Sequence, residues 1–114
     1  MKFWCFYFEG WFASDSTEYP NQGVFSECLV QSDEFLDAEF LFLAALAERK
    51  INLIEVSEQF SMDTDPNEMD PENPDNVYWF EWCDETEAAG KPTFETFHLY
   101  PAEEVNNTIS RKGN

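Results

Sequence analysis

The densest chemical feature of the 114-residue chain is the segment 63–76, DTDPNEMDPENPDN. Asp63, Asp65, Glu68, Asp70, Glu72 and Asp75 put six carboxylates into thirteen residues, and three prolines interrupt them. Such a set suggests either oxygen ligation of a divalent cation or an anionic arm offered to a cationic groove. The EF-hand pattern requires Gly at loop position six and Glu at position twelve. Counted from Asp63, those positions hold Glu68 and Pro74, so the motif fails. A solvated loop whose prolines restrict its unfolded freedom, a weak divalent site and a presented anionic arm all stay open. A second acidic surface follows at Asp84, Glu85 and Glu87. Between the two, Trp79 and Glu81 set an aromatic anchor beside a negative charge, and aromatics are enriched at interface hot spots. Burial of Trp79 under a helix or loop is the competing reading.

Other constellations are missing. Zinc needs Cys or His at short characteristic spacings, whereas Cys5, Cys28, Cys83 and the single His98 are scattered. Nucleophilic catalysis needs a base beside Ser or Cys. His98, between Phe97 and Leu99, reads as a hydrogen-bonded structural residue. A carboxylate pair could be drawn from 24 acids at will and so carries no information. Gly10, Gly23, Gly90 and Gly113 are isolated and form no phosphate loop. The sequence therefore points to no enzyme, no metal site and no cofactor.

Charge narrows the partner. The 24 acids face six bases, Lys2, Arg49, Lys50, Lys91, Arg111 and Lys112, for a net charge of -18. Surface scaling gives a folded area of roughly 6,500 Å², or about one uncompensated negative charge per 350–400 Å². Self-repulsion on that scale costs stability while aiding solubility. Nucleic-acid binding requires clustered Lys and Arg, and binding to an anionic membrane surface requires the same. Residues 3–48 and 51–90 contain neither base. The natural complement is a basic protein. An odd number of cysteines without CxxC suits a reducing compartment. The apolar run Phe3–Phe8 meets Glu9 too early for a secretion signal, and no run reaches membrane-spanning length. A cytoplasmic location is expected.

These residues need a scaffold. At 43% apolar and 18% aromatic the chain is not disordered, and its length fits one domain, 1–114. Residues 2–13 read as a strand buried on both faces, and 24–31 as its antiparallel neighbour. A helix is predicted over 33–50, with Ser32 as cap, Asp33 and Glu34 in its first turn and Arg49 and Lys50 in its last. Leu36, Phe40, Leu43 and Ala47 form its expected inner face, widened by Phe35, Phe42 and Leu46. The opposite side carries Asp37, Leu41, Ala44, Ala45 and Glu48, to be covered by the fold or met by a partner. A third strand is predicted over 51–62, with Ile54, Val56 and Phe60 facing one way and Glu55, Ser57 and Gln59 the other. Residues 77–83, VYWFEWC, read as a fourth strand with Tyr78, Phe80 and Trp82 on one face. A hairpin over Asp84–Pro92 leads to a fifth strand at 93–100, and the tail 102–114 frays. The expected class is α+β: one long helix packed on a four- or five-stranded, mostly antiparallel sheet.

In size, acidity and cytosolic character the whole chain resembles the immunity proteins of bacterial toxin systems, including contact-dependent growth inhibition. The resemblance implies a cognate toxin domain and protection of the producing cell. An acidic inhibitor of a basic nuclease toxin is thus the leading expectation, since nucleases hold phosphates in positive clefts. Alternatives are a nucleic-acid mimic of phage or mobile-element origin, of anti-CRISPR or anti-restriction type, and a small metal-dependent protein or enzyme.

Overall fold

The computed structural model describes the backbone of residues 1–112 and side chains through Ile109. Four regular elements come first: strand β1 (Lys2–Phe12), strand β2 (Gly23–Gln31), helix α1 (Phe35–Glu48) and strand β3 (Ile51–Asp63). A short 3-10 turn (Pro74–Asn76) then leads into helix α2 (Val77–Ala89), strands β4 (Thr93–Phe94) and β5 (His98–Tyr100), and helix α3 (Ala102–Lys112). The class is α+β, built on an open antiparallel sheet of five strands ordered β3-β1-β2-β4, with β5 also pairing with β2. The expected single long helix is instead three helices of 14, 13 and 11 residues.

β1 is central because it is apolar on both sides. Phe6, Phe8 and Phe12 join Val24, Cys28 and Val30 of β2 in a core closed by Ala38, Phe42 and Leu46 of α1. Phe6 stacks on Phe42 with ring centroids 4.5 Å apart. On the other face Phe3, Cys5 and Leu29 pack under Trp82 and Cys83 of α2. The sheet is thus sandwiched between helices. Cys5 and Cys28 are buried in different layers and, like Cys83, are free thiols.

α1 lies rotated from its expected orientation. Ala38, Phe42, Ala45 and Leu46 are buried, whereas Leu36 is 75% and Phe40 72% exposed. Two intertwined apolar stripes run along this helix, and the one that carries Ala38, Phe42 and Ala45 faces the sheet. Ser32 does not cap the helix itself. Its hydroxyl accepts from the Glu34 N–H at 3.3 Å in the turn before the first helical residue.

β3 departs from simple alternation. Its register against β1 shifts between Tyr7 and Phe8 and again between Glu9 and Gly10. Each shift inserts one residue, Ser57 and then Ile54, and each extra residue reverses the facing of the strand beyond it. Val56 therefore packs in the α1 layer and Phe60 in the α2 layer, instead of sharing one face.

The aromatic run 77–83 is helical, not a fourth strand, and the expected hairpin at 84–92 is largely the second half of the same helix. Half-buried Trp79 and buried Trp82, Cys83 and Thr86 recur at the helical period. Gly90, at φ 67°, ends the helix in the left-handed conformation. The Trp82 indole N–H donates to Thr93 Oγ1 at 2.8 Å, and Thr86 Oγ1 lies 2.7 Å from the same oxygen, pinning β4 to α2. The expected strand 93–100 is two short ones that meet β2 at different places. The expected fraying from 102 onward is the helix α3 as far as the structure describes it; residues 113–114 of that tail lie outside the described residues.

Candidate functional site

Three of the sequence-predicted residues converge. Asp63, Glu68 and Trp79 line a groove of about 700 Å³ together with Phe60, Met62, Met69 and Lys2. Its walls are the end of β3, the 63–76 loop and the first turn of α2. Trp79 stands edge-on to Phe60 at 5.7 Å and is stacked on Trp82 at 5.8 Å, so the indole is held rigidly. Aromatic faces with carboxylates at the rim suit a guanidinium or ammonium group carried on an apolar stem.

The loop is ordered by its own acids. Asp65 and Asp70 each accept from the backbone N–H two residues on, at 2.9 Å, across an intervening proline, and Asn73 repeats the turn at 3.0 Å. Asp63 accepts from the Asp65 N–H at 2.9 Å and from the N-terminal amine at 3.1 Å. These contacts hold the Asp63 carboxyl below the usual carboxylate range, the backbone bond contributing most. Asp63, Asp65 and Asp70 therefore shape the loop as well as charge it, while Glu68, Glu72 and Asp75 project from it.

Glu81, Asp84, Glu85 and Glu87 stand exposed along the outer side of α2, as a helical ridge instead of a turn. Of these only Glu87 lies in the last turn of the helix, where the macrodipole disfavours an anion. Cys83 is buried, and burial followed by nearby Asp84 pushes its thiol up to about 12. His98 is exposed on β5, not buried among hydrogen-bond partners.

A second acidic array emerges only from the strand pairing. Between α2 and α3 the sheet carries two cross-strand rows, Glu27–Tyr7–Glu58 and Phe25–Glu9–Glu55. Glu95 joins the first row, its N–H donating to the Glu27 carbonyl at 2.9 Å. Tyr78 of α2 donates its hydroxyl to Glu95, and Tyr100 donates to buried Glu9 at 2.7 Å. Burial and then the Glu95 charge raise the Glu27 carboxyl above its ordinary range. Burial and these hydrogen bonds likewise raise the Tyr78 and Tyr100 hydroxyls. The one signal of it in the sequence is Glu9, an acid inside an otherwise apolar strand.

Bases do little to offset this field. Lys50 pairs with Asp15 at 2.9 Å and Arg49 with Glu18 at 3.4 Å, while Lys2 sits over the Trp4 ring at 4.8 Å. Among the described residues no group of three or more His, Cys, Asp or Glu is arranged to hold a metal ion, and no helix is long and apolar enough to cross a membrane. Comparison with protein-family models, with curated proteins and with solved structures finds no match for the chain.

Proposed function

We propose that this chain is a non-catalytic inhibitor that binds and neutralises a basic partner protein, in the manner of an immunity protein against a nuclease toxin domain. The observation that carries this reading is the groove that joins Asp63 and Glu68 to the fixed ring of Trp79. An Arg or Lys from the partner enters it, stacks on the indole and meets the carboxylates. The ridge Glu81, Asp84, Glu85 and Glu87 extends the anionic surface and steers encounter. The partner is expected in the cytoplasm of the producing cell.

Affinity capture from the native host in dilute buffer tests the proposal. A basic protein should be recovered and released by salt, and the double variant Asp63→Asn, Glu68→Gln should bind it roughly tenfold more weakly, about 1.4 kcal/mol. Recovery of only acidic or uncharged companions, or a partner indifferent to the double variant, overturns it. The rows built on Glu27, Glu58, Glu9, Glu55 and Glu95 favour a second reading, a nucleic-acid mimic that blocks a DNA- or RNA-binding protein. Under that reading, neutralising Glu55 and Glu58 weakens capture more than neutralising the groove.

A further inference from the structure

We propose a second docking surface, on the opposite side of the sheet from the groove: the outward stripe of α1 receives a cationic amphipathic helix. Leu36, Phe40 and Leu43 are 75%, 72% and 45% exposed at successive helical-turn positions, and exposed Ala47 continues the line. Residues 36–47 extend about 16 Å along the axis, three turns of helix. Beyond Leu43 the stripe runs into a shallow groove of about 400 Å³ that includes Ala47 and the half-exposed Leu53 of β3. Single exposed apolar side chains are ordinary; a continuous stripe of this kind marks an interface.

Charge decides the occupant. Helical spacing sets Asp37 and Glu48 along one flank of the stripe and Glu39 along the other. The bases at its far end, Arg49 and Lys50, are paired with Glu18 and Asp15. A second copy of this chain would bring acidic rim onto acidic rim, because a two-fold interface matches a patch to itself, and each copy carries a net charge of -18. A helix with an apolar seam and Lys or Arg on both flanks fits the stripe and neutralises the rim. A strand added to the β3 edge fits less well, since the two register shifts interrupt its hydrogen-bonding row.

This surface rests on the reading that the partner is cationic, and the test separates the two. The probe is a fluorescent 18-residue synthetic helix with Leu at i, i+4, i+7 and i+11 and Lys or Arg flanking them, titrated by anisotropy at 150 mM salt. A scrambled peptide of the same composition serves as the comparator. The amphipathic peptide should bind at least tenfold more tightly than the scrambled one. The triple variant Leu36→Gln, Phe40→Gln, Leu43→Gln, with its melting temperature checked, should lose that preference. The groove variant Asp63→Asn, Glu68→Gln should retain it. Equal binding of both peptides, or an undiminished triple variant, overturns the α1 surface while leaving the cationic-partner reading in place. Failure of both peptides to bind even in dilute buffer overturns both. Sedimentation showing that the wild-type chain dimerises and the triple variant does not would assign the stripe to a second copy instead.

Discussion

Gly23 is the residue at which the structure makes its sharpest energetic demand. It ends the Phe25 side of β2 directly beneath the ring of Tyr100, and a Cβ there would fall well inside van der Waals contact of ring carbons Cε1, Cε2 and Cζ. Gly23→Ala must therefore displace the ring. Overpacking costs about 1–3 kcal/mol, and moving the ring also breaks the bond from Tyr100 to the buried Glu9 carboxylate, worth about 1.5–3 kcal/mol for a charged acceptor. Partial relaxation of β5 brings the expected loss to about 3 kcal/mol. At roughly 2.1 cal/mol/K per residue of unfolding entropy this lowers the melting temperature by about 12 °C. Urea unfolding followed by tryptophan fluorescence measures it, with Tyr100→Ala and the double variant closing the cycle. Once the ring is gone the added methyl is harmless, so the double variant should be more stable than additivity predicts by at least about 1.5 kcal/mol. A loss below about 0.5 kcal/mol for Gly23→Ala, or strict additivity, would refute the placement of Tyr100 over the strand and with it the anchoring of Glu9.

Two further expectations concern protons and thiols. Folding raises the Glu27 carboxyl, so its contribution grows as pH falls from 7 through the raised value. Asp15 and Asp63 are lowered, by Lys50 and by the Asp65 N–H respectively, and their contribution is lost only as pH falls through those lower values. Stability should accordingly rise on acidification from pH 7 towards the ordinary glutamate range and decline once pH falls below the ordinary aspartate range. Glu27→Gln should raise the pH 7 melting temperature by about 1–4 °C, from a like-charge cross-strand cost of about 0.2–1 kcal/mol, and flatten the rise; an unchanged pH profile contradicts this. Cys5, Cys28 and Cys83 are buried with raised thiols. Ellman's reagent at pH 8 should label none of them until denaturant is added, and rapid native labelling of Cys83 would contradict its place under α2.

Much of the sheet was legible because its residues obey one rule each. The aromatic-rich segment KFWCFYFEGWF, apolar apart from Lys2, Glu9 and Gly10, reads as a doubly covered strand, and VFSECLVQ across a turn as its partner. The run VYWFEWC misleads because aromatic composition favours a strand. The deciding contacts, Trp82 to Thr93 and Trp79 to Phe60, are tertiary and override that propensity. On α1 both stripes were apolar, and hydrophobicity alone does not rank the buried set Ala38, Phe42, Ala45 and Leu46 above the exposed set Leu36, Phe40 and Leu43. In β3 alternation failed at Ser57 and Ile54, whose insertion no local pattern announces. Of the site, the loop acids and Trp79 were visible in the sequence. The rows through Glu27 and Glu58 were not, because they exist only once three strands lie side by side.

The central position of β1 bears on how the chain is made. Its eleven residues include Phe3, Phe6, Phe8 and Phe12, yet they are translated before any of the segments that will cover them. β3, which completes one flank, and α2, which roofs one face, emerge roughly 40 and 65 residues later, several seconds at ordinary elongation rates. Through that interval a sticky ribbon waits without a lid. The acids of the segments that follow β1, from Asp15 to Glu58, give nascent copies on neighbouring ribosomes a reason to keep apart before the sheet is covered.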